Sequence, residues 1–115
     1  TGINNNDTLR TILAKLDGFD PKSLVIDECK TGKHWNQKRV DEDDQLTFYA
    51  LACWLKYKKH PSLIRLHWAR TIEDEEGKIR ATGELKTFIT GRAMPQMLEM
   101  ANRVKKAWKS IQKLK

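Results

Sequence analysis

Glu28 and Lys30 stand two apart at the end of a short apolar run, Leu24-Val25-Ile26, and Thr31-Gly32 follows at once. An extended strand turns every second side chain to the same face. Leu24, Ile26, Glu28 and Lys30 are therefore expected on one face, with Val25, Asp27 and Cys29 on the other. A carboxylate and an ammonium would then lie side by side at the strand's end. Asp17, in Leu16-Asp17-Gly18-Phe19, lies eleven residues before Glu28. If it comes from a neighbouring antiparallel strand, two carboxylates and one lysine converge. Two carboxylates repel unless a cation sits between them, and hard oxygen ligands of this kind suit Mg²⁺ or Mn²⁺.

Ile26-Asp27-Glu28-Cys29-Lys30-Thr31-Gly32 resembles the catalytic strand of the PD-(D/E)XK nuclease superfamily, and more narrowly that of its RecB-like branch. Leu16-Asp17-Gly18-Phe19 resembles the acidic motif that precedes this strand. Gln45-Leu46-Thr47-Phe48-Tyr49-Ala50 resembles the Gln-x-x-x-Tyr helix that follows the catalytic lysine. The likeness runs from Leu9 to Lys56, under half of the chain. It implies an α/β (α+β) fold of the restriction-endonuclease-like kind, with a mixed four-stranded sheet flanked by helices. It also implies Mg²⁺- or Mn²⁺-dependent hydrolysis of phosphodiester bonds in DNA, as an exonuclease or endonuclease. Asp17 and Glu28 would hold the metal, and the carbonyl of Cys29 would complete its shell. Lys30 would orient or help deprotonate the attacking water and stabilise transition-state charge. Gln45, Tyr49 and Lys33 would touch the nucleic acid. The implied neighbours are DNA and a helicase or other domain of a larger nuclease.

Two features depart from the family's pattern. No helix precedes the first expected strand, so the chain reads as a fragment or a reduced form of the fold. Asp27 also stands directly before Glu28. The acid-x-Lys spacing favours Glu28, because Asp27 points to the opposite face of a regular strand; a bulge would reverse the choice. The alternative reading is a catalytically silent nuclease-like domain that binds nucleic acid or a partner protein.

Composition sets outer bounds. The 115 residues read as one domain, with residues 1–8 as a mobile end. No apolar run is long enough to span a membrane, and the polar start shows no signal peptide. Cys29 and Cys53 lie far apart in sequence, which reads as reduced thiols in a cytoplasmic protein. They form no CxxC, which argues against a zinc site or an iron–sulfur cluster. The net charge of +7 suits a polyanion partner. Basic residues gather after Gly91 and at Lys56, Lys58 and Lys59, whereas acids gather at Asp41-Glu42-Asp43-Asp44 and Glu73-Asp74-Glu75-Glu76. A salt-insensitive basic domain with no nucleic-acid role is the blander reading of the same charge.

These residues need elements to position them. Leu9 to Leu16 reads as a strand closed by Gly18-Phe19-Asp20-Pro21, and Ser23 to Lys30 as a second. Lys33 to Val40 reads as a polar loop. Asp41 to Asp44 supplies capping acids for a helix of about Asp44 to Lys58, stopped by His60-Pro61-Ser62. Leu63 to Ile72 is a third strand, with Ile64, Leu66 and Trp68 on one face. Ile79 to Thr90 is a fourth, with Ile79, Ala81, Gly83, Leu85, Thr87 and Ile89 on one face. Gly91 and Pro95 break it from a long basic helix with one apolar stripe. That helix is either a solvated face or a DNA-binding ridge. Met94, Met97 and Met100 read as core filling, and Trp35 as a loop residue with base stacking a minority role. Thr31-Gly32-Lys33 lacks the upstream glycine of a phosphate-binding loop.

Overall fold

A computed structural model describes residues 18–113. Along the chain run β1 (Gly18–Asp20), β2 (Val25–Gly32), α1 (Gln37–Glu42), α2 (Asp44–Tyr57), β3 (Leu63–Glu73), β4 (Ile79–Thr90) and α3 (Met94–Lys113). The strands form one mixed sheet in the order β1-β2-β3-β4. β1 pairs antiparallel with β2, β2 parallel with β3, and β3 antiparallel with β4. Parallel neighbours need a long crossover; here α1 and α2 supply it. A mixed sheet flanked by helices agrees with the expected class. The expected strand Leu9–Leu16 lies outside the described residues.

Three expectations are corrected. The Lys33–Val40 stretch is not all loop, because α1 begins at Gln37. Asn36 caps it by accepting a hydrogen bond from the Arg39 amide at 2.8 Å. Only Val40 of this helix is buried, so no apolar periodicity announces it. The second strand starts at Val25 rather than Ser23, because Leu24 takes a left-handed backbone (φ 58°) and closes the hairpin. Its amide donates to the Asp20 carbonyl at 2.7 Å, so Gly18–Asp20 is strand and the turn follows it. In β4 the apolar alternation marks the wrong face for the core: Ile79, Leu85 and Ile89 are exposed, and Phe88 on the opposite face is 3% exposed.

The core lies between the sheet and α2 and α3. Ile26, Ile64, Leu66 and Phe88 face Leu46, Tyr49, Ala50, Met97 and Met100 in one cluster. Met97 and Met100 are buried, so the methionine group is core filling as expected. Trp35 lies in the loop before α1, as expected, and belongs to this cluster; its burial fits a structural role and removes the minority stacking role. Its indole N–H donates to the Thr31 carbonyl at 3.1 Å, and the Arg39 guanidinium covers its ring at 3.7 Å. No disulfide joins exposed Cys29 and buried Cys53, and burial pushes the Cys53 thiol up to about 11.

Arg92 ties the elements together. It is buried, and its Nε donates to Thr47 Oγ1 at 2.7 Å. One terminal nitrogen reaches Thr90 Oγ1 and the Gly91 carbonyl; the other reaches the carbonyls of Val40 and Asp43 at 2.8 and 3.0 Å. The end of β4, the last turn of α1 and the cap of α2 thus share one cation. Arg92→Met should destabilise the fold by about 3 kcal/mol, because carbonyls are left buried without donors. Urea unfolding checks this, and Arg92→Lys should recover only part of the loss, since an ammonium lacks the planar fork.

Candidate functional site

β2 sorts its acids by parity. It pairs with β3 without a break from Val25↔Leu63 to Gly32↔Arg70, so no bulge reassigns its faces. Ile26 is fully buried and Glu28 is 6% exposed, both on the face that α2 covers. Lys30 is two residues further along the same face and is partly exposed. The Lys30 ammonium donates to Gln45 Oε1 at 2.5 Å. Gln45 Nε2 in turn donates to the Tyr49 hydroxyl at 3.1 Å. Gln45 and Tyr49 are one helical turn apart, so they face the strand together. Their helix is placed there by Asp43, whose carboxylate accepts from the Leu46 amide at 3.0 Å and caps α2.

Sequence reasoning therefore names a set of residues that the fold brings into one chain: Lys30, Gln45 and Tyr49, with Glu28 beside them. Tyr49 is also part of the core, with its hydroxyl at the edge. Asp17 lies outside the described residues; Gly18, which follows it, pairs with Asp27. Lys33 is exposed just beyond β2, and its carbonyl accepts from Arg70 Nε at 3.2 Å. Among the described residues, no three His, Cys, Asp or Glu side chains come together as a metal site. Glu28 is the carboxylate on the inner face of β2.

The other face of β2 carries a cluster that the sequence reading missed. Asp27 accepts from Arg65 Nε at 2.7 Å and Nη2 at 2.9 Å, a bidentate pair. Nε2 of His67 lies 2.8 Å from the same carboxylate, and Nδ1 lies 2.9 Å from Thr87 Oγ1. Asp27 stands opposite Arg65 in the parallel register, and His67 lies two residues further along β3. The signal was the shared parity of Asp27, Arg65 and His67, hidden because register between parallel strands is not written locally. Past this cluster, Cys29, Thr31, Ala69, Leu85 and Thr87 line a shallow concavity of about 610 Å³.

The basic helix α3 packs through its first half. Arg103 donates to Asp44 through both terminal nitrogens, at 3.1 and 3.0 Å. Beyond it Lys105, Lys106, Lys109 and Lys113 are exposed, as are Trp108 and Ile111. No helix among the described residues is long and apolar enough to cross a membrane. Comparison with protein-family models, with curated proteins and with solved structures finds no match to this chain.

Arg65 holds the Asp27 carboxyl below the usual carboxylate range, with burial opposing and His67 assisting. A carboxyl depressed in the folded state contributes stability above its unfolded pKa and loses it as pH falls through the folded value. Both partners are partly exposed, so the gain is modest. Asp27→Asn should therefore unfold more easily at neutral pH. Below pH about 4 its urea midpoint should fall less steeply than that of the wild type. Coincident pH profiles would show that the pair adds nothing to stability.

Proposed function

We propose that this chain is a metal-dependent nuclease domain that hydrolyses phosphodiester bonds in DNA, built on the RecB-like pattern. The observation that carries the reading is the hydrogen-bonded run Lys30–Gln45–Tyr49 beside buried Glu28. An ordinary strand-end ion pair would need no such helix. Here two separately weak motifs, Glu28-x-Lys30 and Gln45-x-x-x-Tyr49, meet on one strand face.

Glu28 offers the hard oxygen donor that Mg²⁺ or Mn²⁺ prefers, and the reading calls on Asp17 and the carbonyl of Cys29 for further ligands. Such an ion, when bound, polarises a phosphate oxygen and lowers the pKa of its water. Lys30 is the residue of this chain that meets the attacking water. Gln45 accepts from its ammonium and so sets where its remaining protons point. Those protons orient the water and stabilise charge as it develops on the phosphoryl oxygens. Tyr49 fixes the Gln45 amide in turn. Asp27 takes no part, because Arg65 and His67 occupy its carboxylate on the far face.

Cleavage of DNA with Mg²⁺ tests the assignment. Lys30→Ala and Glu28→Gln should each lower the rate by about a hundredfold or more with the fold intact. Asp27→Asn should stay close to wild type. An inactive Asp27→Asn beside an active Glu28→Gln would move the motif acid to the other face and sink the reading. DNA binding without cleavage, indifferent to Mg²⁺, would favour the silent nuclease-like domain.

Binding of the phosphate backbone is the second test. Phosphate contacts position a strand without reading its sequence, so affinity should be sequence-tolerant and fall steeply with salt. Reversing charge at Lys105, Lys106 and Lys109 should flatten the log–log salt dependence by roughly one unit for each phosphate no longer neutralised. An unchanged slope would make the exposed half of α3 a solvated face.

A further inference from the structure

We propose that Trp68 is a base-stacking platform beside Lys30, and that the strand held across the site is single-stranded DNA. This rests on the nuclease reading above and names the form of its substrate. The β2–β3 register sets Lys30 opposite Trp68, and the β3–β4 register sets Trp68 opposite Lys86. Residues paired in register share a face, so an ammonium, an indole and a second ammonium form one row across the inner face. Neighbouring strands lie about 4.8 Å apart, so the row spans roughly 10 Å. The adjacent row is Glu28, Leu66 and Phe88. Trp68 is thus the direct cross-strand neighbour of the proposed catalytic lysine.

The indole is held before any ligand arrives. Its N–H donates to the Gly32 carbonyl at 2.9 Å. Its ring rests against buried Phe88, with centroids 6.2 Å apart and planes tilted by 31°. Trp68 remains partly exposed, and the Lys86 ammonium stands 4.9 Å from the centroid of the Phe88 ring. A ring already ordered adds little entropy cost on binding. With its sole donor spent on Gly32, the indole has no means of reading a base edge. The ring packs against the core and stays partly exposed; stacking on such a ring accepts any base. Lys30 and Lys86 supply positive charge on either side, where the phosphates flanking a stacked nucleotide would lie. In a duplex the base faces are stacked on one another, and exposing one costs unstacking and unpairing. The row therefore fits an unpaired strand.

The test compares ligands on the full chain in EDTA, so that nothing is cleaved. The probes are an oligothymidylate, an abasic oligomer of equal length and a blunt hairpin duplex. Wild-type protein should hold the oligothymidylate about tenfold more tightly than the abasic oligomer, and more tightly than the duplex. Trp68→Leu should bring the two single strands to equal affinity by weakening the oligothymidylate alone, while Trp68→Phe keeps part of the difference. Equal affinity of wild type for base-bearing and abasic strands would overturn the proposal, and that measurement needs no variant. A Trp68→Leu protein that loses both affinities equally would make Trp68 a packing residue. Duplex bound as tightly as single strand would overturn the substrate class. Binding of none of the three probes, in EDTA and again with Mg²⁺, would overturn the nuclease reading itself, and this inference with it.

Discussion

A guanidinium carries five N–H donors and no acceptor, so a chain that buries one must bring oxygens to it from every side. Arg92 draws them from Val40, Asp43, Thr47, Thr90 and Gly91. Burial pulls its pKa down, and the nearby charges of Asp43, Asp41 and Asp44 oppose that pull. The acidic run between the two crossover helices thus does more than cap α2; its charges also favour the buried cation electrostatically. Through that knot the first turn of α2 is set against the sheet, and Gln45 stands in that turn. The position of an amide beside Lys30 accordingly depends on an arginine in another part of the fold.

Asp27 and Glu28 are adjacent in sequence and have opposite fates because strand geometry separates them. On the outer face Asp27 meets two cationic or protonatable partners from β3, and its lone pairs are spent there. On the inner face Glu28 is buried, two residues before a lysine that is itself held by a neutral amide. A neutral amide fixes the ammonium's direction without adding a charge of its own. One carboxylate is tied into a partly exposed ion pair on one side of the sheet, and its neighbour in sequence is buried on the other.

Much of this was legible along the chain, because it depends on local periodicity. The two-residue alternation of β2, the Asp43 cap and the apolar spacing of α2 are each written within a few residues, and each holds in the fold. Errors arose where the deciding contact is distant. α1 has a cap but one buried residue, so periodicity was silent about it. Leu24 breaks from extended backbone because its amide closes a turn on Asp20 and its carbonyl accepts from the Ser62 amide. Phe88, rather than the apolar alternation around it, faces the core because β3 lays that side of β4 against the helices. Arg65, His67 and Trp68 acquired meaning only from the parallel register, which joins residues about forty positions apart and leaves no local trace.

α1 has one more effect, at the rim of the sheet. β4 is an outer strand among those described, and outer strands present unpaired backbone groups that invite another chain to add on. The exposed apolar residues of β4 would make such an addition stickier. Gln37, in the first turn of α1, donates to the Ile89 carbonyl at 2.9 Å, and Asp41 accepts from Thr90 Oγ1 at 2.8 Å. One end of the rim is thereby already occupied. Gly83, with φ 87°, and the register shift between Ala69 and Thr71 interrupt its regularity further along. A six-residue helix with one buried side chain thus covers the end of the strand where another chain could otherwise pair.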